Sequence, residues 1–111
     1  MARVKNKLNW EAITIENRTS VIDKVKDAIN KTGGYIINFN TYSDLAISLT
    51  IEIEEQNILD LQTELNKLIK ISKTELENIN NESKQDWWIL LNISFSTGKG
   101  NLKKEIPNVP G

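Results

Sequence analysis

The chain has 111 residues, enough for one layered core and too few for two. Its 14 basic and 15 acidic residues nearly cancel, so a dense cationic surface for nucleic acid or anionic lipid is not expected. With no cysteine and no histidine, the chain lacks disulfides, thiol nucleophiles, the commonest metal ligands and the commonest general base. No window approaches the roughly 18 apolar residues of a membrane span, and the N-terminus lacks an apolar signal region. These features predict a cytoplasmic protein that binds neither nucleic acid nor membrane, with no cofactor and no metal.

Residues 1–7 are polar, with Arg3, Lys5 and Lys7 as the strongest basic cluster, and read as a flexible terminus. The run LNWEAITIE from Leu8 to Glu16 predicts a strand whose inner face is Ile13 and Ile15. Asn17, Arg18 and Thr19 stop it. A helix is then expected from about Ser20, with Ser20 as cap and Asp23 three residues on. Val21, Ile22, Val25, Ala28 and Ile29 form its stripe, and burying the four larger side chains is worth roughly 6 to 12 kcal/mol before entropy. So short a helix would not persist in water without that burial. Gly33 and Gly34 end it, one of them as a left-handed cap.

Two strands follow. In YIINFNTY, alternation puts Tyr35, Ile37 and Phe39 on one face and Ile36, Asn38, Asn40 and Tyr42 on the other. In LAISLTIEIE, Leu45, Ile47, Leu49, Ile51 and Ile53 alternate with polar or small residues, and TYSD reads as a short hairpin turn. A sheet greasy on one side and polar on the other calls for helices on one side only. Asn57 caps a second helix, whose stripe is Leu61, Leu65 and Leu68 flanked by Ile58 and Ile69. KTELENIN is compatible with helix or strand, and NNESKQD reads as a loop. The run WWILLNISF is a strand with Trp87, Ile89, Leu91, Ile93 and Phe95 inward, which sends Trp88 to the opposite face. Beyond it, residues 98–111 form a turn and tail, with LKKEI as a short edge strand.

The order of these patterns, with ITIENRTSVIDKVKDAI and INFNTYSDLAISLTIEIEEQNILDLQTELNKL as its phrases, resembles the ACT domain over about half the chain, Ala12 to Ile71. That family is a ferredoxin-like regulatory module. The resemblance implies an α+β, ferredoxin-like βαββαβ sandwich, an antiparallel sheet with two helices on one face, here with an extra C-terminal strand or extension, in one domain over residues 8–97. It also implies self-association and a small-molecule effector such as an amino acid. The corresponding residues are Asn17, Arg18, Thr19, Ser20, Val21 and Ile22 at the first turn, and Gly33, Gly34, Tyr35 and Ile36 at the second strand. Where the family has Asp-Arg-Pro-Gly, this chain has Asn17, Arg18, Thr19 and Ser20.

Each residue also has a plainer role. Arg18 reads as a turn residue, Asn17 and Ser20 as strand stop and helix cap, and Asn38, Asn40 and Tyr42 as a solvated sheet face. GKG at 98–100 lacks the spacing of a phosphate loop. Glu52, Glu54 and Glu55 do not resemble a calcium loop. The expected function is therefore a non-catalytic, ACT-like regulatory or small-ligand-binding module that forms a homodimer. The alternative is a ligand-free protein-interaction or assembly domain that uses the sheet edge, Trp88 and the C-terminal tail.

Overall fold

A computed structural model describes residues 6–73 and 79–96. The expectations for residues 1–5, for TELEN within KTELENIN and for the turn, edge strand and tail beyond Ser96 fall outside them. The described elements run β1 (Asn6–Thr14), α1 (Arg18–Lys31), β2 (Tyr35–Ser43), β3 (Ala46–Glu54), a single 3-10 turn (Glu55–Asn57), α2 (Ile58–Asn66), β4 (Lys70–Lys73) and β5 (Asp86–Phe95). Asn6 and Lys7, expected in the flexible terminus, open β1.

The architecture is α+β: one five-stranded sheet in the order β2-β3-β5-β1-β4, with two helices. The sheet is mixed, not antiparallel throughout, because β5 lies parallel to β1 from Asn6↔Trp87 to Thr14↔Phe95. Its other neighbour is antiparallel β3, from Ala46↔Ser94 to Glu54↔Asp86. The run expected to close the sheet therefore sits at its centre, and the short β4, paired antiparallel with β1, forms one edge. A central strand whose inner face lies under the helices needs a nearly continuous apolar inner row, and Ile89, Leu91, Ile93 and Phe95 supply it.

One core joins the inner residues of β1, β3 and β5 to Val21, Val25, Ala28 and Ile29 of α1 and Ile58, Leu61 and Leu65 of α2. Both helices thus cover the same sheet face. The inner face of β1 is Leu8, Trp10, Ala12 and Thr14, the reverse of the expected Ile13 and Ile15, which are 42% and 71% exposed. Both parities of that strand carry apolar side chains. Burial of Trp10 removes more apolar surface than either isoleucine could, and pairing with β5 sets Leu8, Trp10 and Ala12 beside Ile89, Leu91 and Ile93.

In β2 the expected alternation fails because the register slips between Ile36 and Asn38 and again between Thr41 and Ser43. Ile36 and Phe39 pair with the inward Ile51 and Leu49, while Tyr35 pairs with the outward Glu52. A bulge adds one residue to one strand and so inverts the parity that follows. Leu45, expected to face inward, lies before β3 in the hairpin turn and is 53% exposed.

Glu55 fastens the segment that leads into β5. Its side chain is buried at 6% exposure and its Oε2 accepts the Asn80 amide at 2.8 Å. The Glu55 and Gln56 amides donate to the Gln85 and Ser83 carbonyls, also at 2.8 Å. Across the helices, Glu64 takes Lys31 of α1 at 3.3 Å and Lys67 at 3.2 Å. Those hydrogen bonds, Lys67 first and Lys31 second, hold its carboxyl below the ordinary glutamate range.

Candidate functional site

The first group of expected site residues surrounds the start of α1. The cap is Asn17, not Ser20: its Oδ1 accepts the Ser20 amide at 3.1 Å, and Ser20 lies within the first turn. An exposed Asn with extended backbone suits this role, because its short side chain reaches an amide three residues on. Arg18 reaches the β2–β3 hairpin, where Nη2 donates to Thr41 Oγ1 at 3.3 Å and Nη1 lies 3.7 Å from Asp44 Oδ1. Thr19 is exposed, Val21 is buried in the core and Ile22 packs partly against it.

The second group surrounds the other end of the same helix. Thr32 is the C-cap, and Gly33 follows it with φ of +86°, a backbone conformation that disfavours any side chain. The Gly34 amide donates to the Ile29 carbonyl at 2.9 Å. A Cβ on Gly34 would meet Ile29 Cγ2 at 3.1 Å and Ile51 Cγ2 at 3.3 Å, so α1 and β3 would have to give by a few tenths of an ångström to admit one. Tyr35 is 70% exposed and Ile36 is half-buried.

α1, 14 residues and about 21 Å long, holds residues 17–22 at its start and residues 33–36 beyond its end. One copy of the chain does not bring the two groups together. No family model, curated protein or solved structure matches this chain. Among the described residues no group of three acidic side chains could hold a metal ion, and no helix is long and apolar enough to cross a membrane.

The sequence reading missed two surfaces. The described large apolar residues left exposed fall into just these two places: Tyr35, Ile37, Phe39, Tyr42 and Leu45 on β2 and its turn, and Ile13 and Ile15 at the end of β1. The two sheet edges also differ. β4 has four residues and a lysine at each end, features that discourage strand addition. β2 has nine residues, YIINFNTYS, and no charge. Phe39 marks where the helical layer stops short: it is 37% exposed, while its neighbour Leu49 is 2% exposed. The missing sequence signal was the neutrality of β2, set against the lysines that bracket β4.

On the face opposite the helices, cross-strand pairing aligns Tyr35, Glu52, Trp88 and Lys7 in one row and Asn38, Thr50, Leu90 and Asn9 in the next. Asn40 pairs with Ser48 in a third row. Trp87 packs against the core on the opposite side.

Proposed function

We propose that this protein is a non-catalytic, ACT-like regulatory module that self-associates through β2. The observation that carries this reading is the long, uncharged edge of β2, about 30 Å in extended form, which pairs with no further strand among the described residues. A two-fold antiparallel pairing centred on Phe39 sets the start of β2 in one copy beside its end in the other. Arg18 touches Thr41 and Asp44 at that end. The turn at residues 17–22 of one copy then faces residues 33–36 of its partner, joining the two groups that α1 holds apart in a single chain. The strand order supports a ferredoxin-like ancestry: with β5 set aside, the remaining order is β2-β3-β1-β4, the arrangement of a βαββαβ sandwich. An amino-acid-like effector at the joint would act by favouring the paired state.

A ligand-free assembly domain is the second reading. It is favoured by Asn17, whose side chain already satisfies the Ser20 amide that an effector carboxylate would otherwise meet.

Sedimentation of the intact chain and of a double variant, Asn38→Lys with Asn40→Lys, tests the assembly. Both positions are exposed and become opposed across the proposed two-fold axis. The expected result is a concentration-dependent dimer that the double variant abolishes, with the melting temperatures of the two chains converging at dilutions where the native chain is monomeric. A native chain that stays monomeric at high micromolar concentration refutes the reading. Amide shift mapping with pooled amino acids separates the two versions. Saturable shifts at residues 17–22 and 33–36 together, lost in the double variant, support the effector site, whereas a dimer with no shifts supports ligand-free assembly.

A further inference from the structure

We propose that the groove where the end of β1, β4 and the end of α2 meet binds a small amphipathic anion, a medium-chain aliphatic carboxylate. This site is separate from the β2 edge and does not rest on the assembly reading. The groove has a volume of about 630 Å³, within the range of small-ligand clefts. Its apolar lining comes from Ile13 and Ile15 of β1, Leu68, and Ile69 and Ile71 on either side of Lys70. Ile13 and Ile15 are the exposed large apolar residues that the β2 edge does not account for.

The rim carries the charge. Lys67 and Lys70 line the groove, and the one carboxylate among its lining residues is Glu16. Glu16 lies 3.6 Å from Lys24 Nζ, so it is already compensated. Glu64 compensates Lys67, but it shares its charge with Lys31 on the other oxygen. Among the residues that line the groove, two lysines therefore stand against one carboxylate that is already paired, which favours a negatively charged guest. The end of α2 does not oppose it strongly. Its Glu64 and Leu65 carbonyls accept amides from Lys67, Leu68 and Ile69, leaving fewer bare acceptors directed at the groove.

This combination selects the ligand class. Apolar walls disfavour an inorganic anion, which would lose its water and gain few contacts, and the lysines disfavour a metal cation. A carboxylate head beside Lys67 and Lys70 with its chain along Ile13, Ile15 and Ile71 satisfies both parts of the surface.

Amide shift mapping of the full chain with sodium octanoate tests the site, with 1-octanol and sodium acetate as comparisons. The expected result is saturable octanoate shifts at residues 13–16 and 67–71, with 1-octanol roughly fivefold weaker and acetate silent. Lys70→Glu, at an exposed position, is expected to weaken octanoate by a similar factor while the spectrum otherwise stays native; Lys67→Ala provides an independent check. The proposal is overturned by the absence of saturable shifts, by equal binding of octanoate and octanol, or by octanoate binding that both lysine variants leave unchanged. It is also overturned if the groove shows contacts to the chain's own residues 97–111, which follow the groove-lining Ser96, in place of octanoate.

Discussion

Replacing Glu55 by alanine should loosen the segment that delivers β5 to the sheet centre. The Glu55 carboxylate is nearly inaccessible and takes the Asn80 amide at 2.8 Å. Truncation to alanine removes a charged acceptor and leaves that part-buried amide unsatisfied, which costs about 1.5 to 3 kcal/mol. With a denaturant slope near 1.3 kcal/mol/M for a domain of this size, the urea midpoint should fall by roughly 1 to 2 M. Glu55→Gln keeps an acceptor oxygen of the same reach and should cost about 1 kcal/mol or less. Urea unfolding followed by tryptophan fluorescence measures both, at one fixed protein concentration because association would add its own stabilisation. A Glu55→Ala variant that loses less than about 0.5 kcal/mol would refute the latch. So would a glutamine variant as damaged as the alanine one.

Other expectations concern packing, backbone and charge. Trp10→Ala should cost about 3 to 5 kcal/mol or prevent folding, whereas Ile15→Lys should stay within about 0.5 kcal/mol by thermal melting; the reverse ranking would return β1 to the opposite face. Gly33→Ala should destabilise by about 1 to 2 kcal/mol through its +86° φ, and Gly33→Asn by less, as read by urea midpoints. The Glu64 carboxyl, followed by NMR, should titrate below the ordinary glutamate value. Its midpoint should rise further in Lys67→Ala than in Lys31→Ala, because the Lys67 hydrogen bond is the larger cause. Since this folded-state value is depressed, the associated stability is present above the unfolded glutamate value and is lost as pH falls through the folded one. With both lysines exposed to solvent the loss should be small, and a midpoint above the ordinary value would contradict the bridge.

Where one parity is apolar from end to end and the other turns polar, the strands could be read directly. Ile47, Leu49, Ile51 and Ile53 in β3, and Ile89, Leu91, Ile93 and Phe95 in β5, face the core as their alternation requires. The stripe of α1 and its glycine stop were equally legible. In β1 both parities are apolar, so the choice between Trp10 and Ile13 depended on the neighbouring strand, about eighty residues away in sequence. In β2 the two register slips leave no trace in composition. The central placement of β5 is a long-range outcome that local periodicity does not encode. For the candidate site, residue types near 17–22 and 33–36 could be named, but not their separation by the length of α1.

The central position of β5 also bears on how the chain is made. Until Phe95 leaves the ribosome, the sides of β1 and β3 that β5 will occupy have no partner of their own. Synthesis from Lys73 to Phe95 takes roughly 1 to 4 s at ordinary elongation rates, long compared with hairpin formation. In that interval the nascent chain can pair β1 directly with β3 as a four-stranded sheet, which β5 must then part to enter. Vectorial synthesis therefore leaves the centre of the sheet to be filled last, and holding factors that shield the two strand edges should raise its folding yield more than for a sheet closed in sequence order.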